Sequence, residues 1–266
     1  MSEAGDLLEL ARATAREAGD LVRSMRTRGA DVAQTKSSPT DVVTEADRRS
    51  EELIRGRLLG ARPDDAFVGE ESDDTAGSSG VSWVVDPIDG TVNYLYGLPQ
   101  YAVSIAAARD GKVVAGVVCA PALEVEYAAT LGGGATCNGV PIQVRSTPPL
   151  EEAVVSTGFS YELDIRTRQA GAVARMLPQI GNLRRMGSCA LDLCAVAAGQ
   201  SDAYVEEGAH AWDHAAGGLI ATEAGATFEV WKTVVDRDLV VCAPAPAWPG
   251  FSALVRACGF LGDDVD

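Results

Sequence analysis

Apolar residues near the N-terminus recur every three to four positions, and this spacing predicts an amphipathic helix from about residue 5 to residue 27. The pattern breaks between Gly29 and Thr40, where glycine, serine and proline predict a loop. A second helix is predicted to follow Thr44, because Thr44 and Asp47 have the spacing of a helix capping box. The two helices are therefore expected to form one layer of a sandwich.

Beyond residue 66 the chain changes to short apolar or alternating runs, which are typical of strands. The run Trp83–Val85 is apolar throughout and predicts a strand buried on both faces. We expect this strand to stop at Asp86, because Pro87 lacks the amide hydrogen that a sheet ladder requires. The Asp110-Gly111 pair predicts a tight hairpin. Further strands are predicted at 67–68, 102–109, 112–120 and 125–130.

The Pro148-Pro149 step marks the predicted boundary between two parts of the chain. After this step, predicted strands and helices alternate, which is typical of an α/β layer. Strands are expected at 153–157, 182–185 and 203–206, and helices at 166–177, 188–198 and 213–223. We therefore divide the chain into an N-terminal α+β part, residues 1–147, and a C-terminal α/β part, residues 148–266.

The chain has 266 residues, with 38 acidic and 22 basic side chains and a formal net charge of −16. This charge repels nucleic-acid backbones and anionic lipid surfaces, so neither is expected as a partner. No apolar run is long enough to span a membrane, and the N-terminus lacks the features of a secretory signal, which predicts a cytoplasmic protein. The six cysteines form no C-x-x-C pair and are predicted to be buried apolar residues.

Acidic side chains stand where the chain leaves predicted strands or enters a predicted helix. They are Glu70, Asp86, Asp89 and Asp213. Because the chain has only two histidines, a metal site must rest mostly on carboxylates, and Mg²⁺ prefers such oxygen ligands. Gly90 and Thr91 open a predicted helical turn, whose free N–H groups are suited to a phosphate. Each residue alone is common in turns and caps, but together they predict adjacent metal and phosphate sites.

These motifs resemble those of the inositol monophosphatase family, a group of lithium-sensitive, Mg²⁺-dependent phosphatases. The family pattern W-x-x-D-P-I-D-G-T-x-N-[FY] corresponds to Trp83–Tyr94, and W-D-x-A-[AG]-G corresponds to Trp212–Gly217. Further matches are Gly69-Glu70-Glu71, Asp41–Asp47 and Ile220–Gly225, so the resemblance extends from about residue 7 to about residue 230.

The resemblance implies a five-layer αβαβα sandwich, a homodimer, and hydrolysis of a small phosphomonoester with two or three Mg²⁺ ions per site. It implies cation ligands at Glu70, Asp86, the Ile88 carbonyl, Asp89 and Asp213. It also implies that Glu70 and Thr91 orient the attacking water, with Asp47 supporting Thr91. The substrate-binding residues that it implies are Asp89, Gly90, Thr91, Gly187, Ser188, Cys189, Glu206 and Asp213.

Inositol 1-phosphate or a similar polyol phosphate is the expected substrate, because the Glu206 carboxylate would accept hydrogen bonds from hydroxyl groups. Histidinol phosphate, fructose 1,6-bisphosphate and 3′-phosphoadenosine 5′-phosphate stay open as alternatives, as does a non-catalytic regulator that binds a metal or ligand. His210 and His214 have the spacing of two zinc ligands, but His210 precedes the predicted helix and is expected to be a wall or packing residue. Lys36 is expected to be solvated, and residues 226–241 form a shorter rim segment than in typical relatives.

Overall fold

The computed structural model describes residues 2–27, 32–35 and 42–262, and its N-terminal segment forms helix α1 (Glu3–Thr27). One face of α1 is buried and largely apolar, as the spacing of three to four residues predicts. Its buried residues are Leu7, Ala11, Thr14, Ala15, Ala18, Gly19 and Val22. The first predicted helix is therefore confirmed.

The stretch after α1 differs from the loop that the sequence predicts. Val32–Thr35 forms strand β1, which pairs antiparallel with strand β2 (Val42–Thr44). The loop prediction is wrong for residues 32–35, because a strand of four residues offers too few positions for its alternation to be recognised. Gly29, Lys36 and Thr40 lie outside the described residues.

Helix α2 (Glu45–Ala61) begins at the predicted capping box. The Thr44 hydroxyl accepts hydrogen bonds from the amides of Ala46 and Asp47 at 3.1 and 3.4 Å. The Asp47 carboxylate accepts the Thr44 amide hydrogen at 2.8 Å in return. These contacts satisfy N–H groups that have no partner inside the helix. Helices α1 and α2 pack on each other and form one outer layer.

The central part of the chain folds into a seven-stranded sheet whose strands follow one another in sequence order. The strands are β3 (Ala66–Gly69), β4 (Val81–Asp89), β5 (Ala102–Arg109), β6 (Lys112–Ala120), β7 (Val125–Thr130), β8 (Gly134–Cys137) and β9 (Val140–Ile142). Strands β3 and β4 are parallel, and all later neighbours are antiparallel. The predicted hairpin between β5 and β6 is confirmed, with Asp110 and Gly111 at φ angles of 50° and 81°.

Strand β4 continues past Asp86, where the proline in the sequence predicts its end. Asp86 pairs with Ser104 and Asp89 pairs with Ala102, so three steps along β4 oppose two steps along β5. The extra residue makes a β-bulge, which accommodates Pro87 because this residue need not donate to the ladder there. The predicted end is therefore wrong, and the bulge lies between the two aspartates.

The C-terminal part forms a second sheet of five strands. They are β10 (Val154–Thr157), β11 (Asn182–Arg184), β12 (Ala203–Glu207), β13 (Ala226–Lys232) and β14 (Asp238–Pro244). The spatial order is β11-β10-β12-β14-β13, and only the pairs that involve β10 are parallel. Strands β13 and β14 form a hairpin in the segment 226–241, for which the sequence analysis predicts only a shortened loop.

The helices complete a five-layer αβαβα sandwich, which confirms the predicted fold class. The remaining helices are α3 (Thr91–Tyr96), α4 (Leu163–Met176), α5 (Cys189–Ala197), α6 (Ala211–Glu223) and α7 (Trp248–Ala257). Helices α5 and α6 lie between the two sheets, and their apolar residues share one core with both. Helices α4 and α7 cover the outer face of the second sheet. Helix α3 is a short segment that follows β4 directly.

The change from one sheet to the other falls at the predicted boundary. Strand β9 ends at Ile142 and β10 begins at Val154, with Pro148 and Pro149 between them. A single cluster of buried apolar residues nevertheless includes members of both sheets. The division into parts 1–147 and 148–266 stays a prediction.

Two compositional predictions concern the cysteines and the membrane. All six cysteines are free, and all except the half-buried Cys137 are buried, as expected for apolar packing residues. Across residues 2–27, 32–35 and 42–262, no helix combines the length and the apolar character needed to cross a membrane.

Strand β6 and helix α6 approach each other closely at Gly116, where an added Cβ would lie 3.0 Å from Cα of Ala216. We expect Gly116→Val to lower the free energy of unfolding by about 1–3 kcal/mol, because the extra atoms must push the two layers apart. Urea unfolding measures this change. Gly56→Ala, in the exposed part of α2 with no atom within 4 Å of the new Cβ, is the control and should stabilise by about 0.5–1 kcal/mol. Unchanged stability of Gly116→Val would contradict tight packing of the layers.

Candidate active site

Three carboxylates from different parts of the chain converge at one edge of the first sheet. Asp86 and Asp89 flank the bulge of β4, and Asp213 lies in the first turn of α6. One carboxylate oxygen of each lies within 4.8 Å of the others. Among the described residues, no other set of three or more histidine, cysteine or acidic side chains is grouped in this way, so His210 and His214 belong to no such cluster. The structure thus brings together three of the four predicted carboxylates, with no soft ligand among them, while Glu70 lines the same cavity without belonging to this cluster.

Hydrogen bonds from backbone and side chains fix each of these carboxylates. Asp86 accepts the amide hydrogen of Ile88 at 2.9 Å within the bulge. Asp89 accepts the Ser188 hydroxyl and the Ala190 amide hydrogen, both at 2.6 Å, at the N-terminus of α5. The positive end of a helix dipole stabilises a carboxylate in this position. Asp89 therefore joins the first sheet to the middle helix layer.

Asp213 has a similar local support. Its carboxylate accepts the amide hydrogen of His210 at 2.5 Å, so it caps the first turn of α6. His210 itself precedes the helix, as predicted, and its ring stacks on Trp212 with 4.7 Å between the ring centroids. His210 also lines the cavity described below, which confirms its expected place in the wall.

Thr91 lies beside the carboxylates and is held from behind by Asp47. The Thr91 hydroxyl oxygen is 3.0 Å from an Asp47 carboxylate oxygen and 3.0 Å from the Ile88 carbonyl oxygen. Asp47 is completely buried and belongs to the first turn of α2. Gly90 precedes Thr91 with a φ angle of 94°, and an added Cβ there would lie 2.8 Å from the Gln100 carbonyl oxygen. Glycine is therefore required where the chain turns from β4 into α3.

A cavity of about 710 Å³ opens over this cluster. Its wall includes most of the residues that the sequence analysis predicts for the site. They are Glu70, Asp86, Ile88, Asp89, Gly90, Thr91, Gly187, Cys189, Glu206 and Asp213. The two other predicted residues, Asp47 and Ser188, lie behind the wall and hold Thr91 and Asp89 through hydrogen bonds.

The outer rim of the cavity is the part that the sequence analysis misses. One side is the loop before α4, and the other is the turn between β13 and β14. Arg237 of the turn forms an ion pair with Glu162 of the loop, so the two segments meet across the opening. A signal was available in Phe228 and Val230, which alternate with polar residues as in a strand. The missed rim residues are Phe159, Ser160, Tyr161, Glu162, Arg185, Lys232, Val235, Asp236, Arg237 and Asp238.

Comparison with known proteins agrees with this geometry. A family model described as the inositol monophosphatase family matches residues 4–249. The chain belongs to this family.

Individual relatives support the same assignment over nearly the whole chain. The inositol-1-monophosphatase SuhB of Mycobacterium tuberculosis is 44% identical over 264 residues, and the match covers 92% of this chain and 91% of that protein. The solved structure of Mycobacterium tuberculosis SuhB superposes with a TM-score of 0.85 at 37% identity and covers 98% and 100% of the two chains. The SuhB structure from Bartonella henselae gives a TM-score of 0.87 at 31% identity, with 95% and 98% covered. The protein is therefore a phosphatase that hydrolyses phosphate monoesters, and its family is metal-dependent.

The electrostatics of the cavity fit the metal dependence of the inositol monophosphatase family. The residues that line it in the described part of the chain include nine carboxylates and three basic side chains, Arg185, Lys232 and Arg237. Burial, followed by the charges of its neighbours, raises the pKa of Asp86 well above the ordinary value of 3.8. Burial likewise raises the pKa of Asp89 to about 7. Such an all-oxygen set of crowded carboxylates is suited to a hard divalent cation.

The thiol of Cys189 has no place in nucleophilic chemistry here. Burial and nearby carboxylates raise its pKa well above the ordinary value of 9.0, so it stays protonated at neutral pH. Only its backbone and its bulk are then offered to a ligand.

We expect the stability of the metal-free protein to fall as the pH rises from about 5.5 to 8. The folded-state pKa values of Asp47 and Asp89, about 6 and about 7, lie above those of the unfolded chain, so the folded protein holds protons that the unfolded chain has lost. The stabilisation from these protons is lost as the pH passes through the folded-state values. Thermal melts in EDTA measure the effect, and Asp89→Asn should flatten it. A melting temperature that rises over this range in EDTA would contradict the interpretation.

Proposed function

We propose that this family member is a Mg²⁺-dependent phosphatase of inositol 1-phosphate or of a similar polyol phosphate. The observation that supports this most directly is the position of Glu206 in the same cavity as Asp86, Asp89 and Asp213. The cavity thus has a cation-binding floor for a phosphate and a hydrogen-bond acceptor for the alcohol.

A phosphate dianion cannot approach nine carboxylates unless their charge is compensated. Bound Mg²⁺ supplies positive charge that neutralises the phosphate and lowers the pKa of a coordinated water. In the proposed site Glu70, Asp86, Asp89, Asp213 and the Ile88 carbonyl would hold the two or three cations. These donors fit the preference of Mg²⁺ for carboxylate and carbonyl oxygens.

The other groups of the floor act on the water and the phosphate. Asp47 holds the Thr91 hydroxyl, so that Thr91 and Glu70 can orient the attacking water. The backbone N–H groups of Gly90 and Thr91 would donate hydrogen bonds to the phosphate oxygens. Since the Thr91 hydroxyl and the backbone N–H groups are fixed before substrate arrives, they need little reorganisation during the reaction.

Glu206 is built to receive the organic part of the substrate. Its carboxylate accepts a hydrogen bond from the Tyr204 hydroxyl at 2.6 Å, which fixes its orientation. An added Cβ at Gly158 would overlap with this carboxylate, so the neighbouring glycine makes room for it. Glu206 repels a second phosphate while Arg185, in the same cavity, attracts one, so the preference for a polyol over fructose 1,6-bisphosphate or 3′-phosphoadenosine 5′-phosphate rests on the hydrogen bonds that Glu206 can accept from hydroxyl groups. The proposed contacts to the alcohol also include Asp89, Asp213 and the segment Gly187–Cys189.

Histidinol phosphate is the main alternative substrate, because its amine would also bind Glu206 favourably. Phosphate release from each of the four candidate compounds, with Mg²⁺ and with EDTA, tests the proposal. Release from inositol 1-phosphate that is at least about tenfold more efficient than from the others would support a polyol phosphatase. More efficient release from one of the other three compounds would overturn the choice of a polyol phosphate. The homodimer, lithium inhibition and cytoplasmic location stay predictions.

Asp86→Asn should lower turnover by on the order of a thousandfold, because it removes one full charge from the cluster that holds the cations. Phosphate release at saturating Mg²⁺ measures this loss. Thermal melts in EDTA should show an unchanged or raised melting temperature, since the substitution relieves repulsion among buried carboxylates. If the variant kept more than about a tenth of the wild-type rate, Asp86 would have only a structural role.

Glu206→Gln should change substrate preference more than it changes chemistry. The side chain is proposed to contact the alcohol, so losing its charge should cost about 1.5–3 kcal/mol of binding to inositol 1-phosphate. The ratio of kcat/KM for inositol 1-phosphate to that for a simple phosphomonoester without hydroxyl groups measures the effect. An equal loss for both substrates would place Glu206 in the reaction step itself.

A further inference from the structure

The first two turns of α2 bury polar side chains on the face that an amphipathic helix normally fills with apolar residues. Asp47, Ser50 and Glu51 have exposed fractions of 0%, 0% and 2%. Their spacing of three and four residues places them on one side of the helix. Buried polar groups cost free energy unless each has a hydrogen-bond partner. Their partners therefore indicate what this helix face does.

Two of the three side chains hold the segment at the end of β4. Asp47 contacts the Thr91 hydroxyl at 3.0 Å, as described above. The Ser50 hydroxyl donates a hydrogen bond to the Pro87 carbonyl oxygen at 3.1 Å. Pro87 lies in the bulge between the two cluster aspartates. This part of α2 is thus fixed to the strand end that carries Asp86 and Asp89.

Glu51 holds a different strand end, the turn after β3 that contains Glu70. Its carboxylate accepts the Glu71 amide hydrogen at 2.8 Å and also accepts the Ser72 hydroxyl. An added Cβ at Gly69 would lie 2.5 Å from the same carboxylate, so the glycine before Glu70 leaves space for it. Glu51 therefore contacts the chain on both sides of Glu70.

Arg55, one turn further along α2, holds the same segment from a second point. Its guanidinium donates to the Ser72 hydroxyl at 2.6 Å and to the Asp73 carbonyl at 2.7 Å. It also lies over the Phe67 ring, 4.4 Å from the ring centroid. The turn is consequently tied to α2 at two successive levels.

We propose that Glu51 is a positioning residue for the cation site. Helix α2 forms hydrogen bonds with the ends of both β3 and β4, so Glu51 on this helix fixes the position of Glu70 relative to Asp86. This inference rests on the proposed function, in which Glu70 and Asp86 bind the same group of cations. Glu51 itself would touch neither metal nor substrate. Glu51 contributes through the hydrogen bond between its carboxylate and the Glu71 amide, which requires a side chain of this length. The negative charge that it adds near the site is secondary.

The test distinguishes the effect of side-chain length from that of charge. Isothermal titration calorimetry measures Mg²⁺ binding to protein that has been treated with EDTA and dialysed. Glu51→Asp keeps the charge but shortens the side chain by one CH₂ group, and should weaken Mg²⁺ binding about tenfold through loss of the hydrogen bonds. Glu51→Gln keeps the length, can still accept the Glu71 amide hydrogen, and should stay within about threefold of wild type. Glu52→Asp, the same change at the neighbouring exposed position, is the matched control and should bind as wild type does.

The opposite pattern, with weak binding in Glu51→Gln and normal binding in Glu51→Asp, would overturn positioning in favour of charge. Normal binding in both variants would overturn the inference as well. If thermal melts show that Glu51→Asp does not fold, Ser72→Ala breaks one of the same contacts from the exposed side and should weaken binding by about threefold. Unchanged binding in that variant would then contradict the proposal.

Phosphate release by the wild-type protein distinguishes the two proposals. A protein that binds Mg²⁺ but releases no phosphate would refute the proposed function, and the comparison of Glu51 variants would still decide the positioning role. A wild-type protein that binds no Mg²⁺ would refute both.

Discussion

The constraint on which this structure depends is the burial of several carboxylates at one point. Asp86 and Asp89 are almost inaccessible to water, and Asp213 lies within reach of both. Taken alone, such a cluster opposes folding, because each ionised group is desolvated and repelled by the others. Its persistence requires donors that hold each carboxylate, protons or cations that compensate the charge, and a large apolar core that supplies the stability elsewhere.

The fold meets this requirement by bringing donors from several layers to one place. The bulge of β4 supplies an amide to Asp86, the start of α5 supplies a hydroxyl and an amide to Asp89, and the residue before α6 supplies an amide to Asp213. Helix α2 reaches the same region from the opposite face of the sheet. Around the site the layers are joined by polar contacts, while three clusters of buried apolar residues supply most of the packing between layers elsewhere.

Local signals in the sequence allowed much of the fold and the cavity floor to be predicted. The capping box at Thr44 and the hairpin at Asp110-Gly111 depend on a few adjacent residues, and the structure has both. The end of β4 could not be read in this way, because Pro87 is compatible with a strand only where β5 opposes it with one residue fewer. That information lies in the partner strand and not in the local sequence.

The ion pair that joins the two sides of the cavity rim could not be predicted, for a related reason. Arg237 and Glu162 are far apart in sequence and carry no motif, and they meet only once the C-terminal part of the chain has folded. The same applies to Glu51, which has no unusual spacing in the sequence. Its proposed role becomes visible only from its contact with the turn around Glu70. Residues that support a site without lining it can be identified only from the contacts that they make in the folded structure.

The bond between Asp89 and the start of α5 has a consequence for how this protein could have diversified. The Asp89 side chain of the first sheet depends on Ser188 and Ala190, about 100 residues later, and Asp213 comes from further along the chain. Recombination near Pro148 would separate these partners. A chimera of two relatives that is joined near Pro148 therefore stays functional only if one fragment supplies Asp89 and the other supplies its partners at the start of α5. The two halves of the gene are consequently expected to be inherited together.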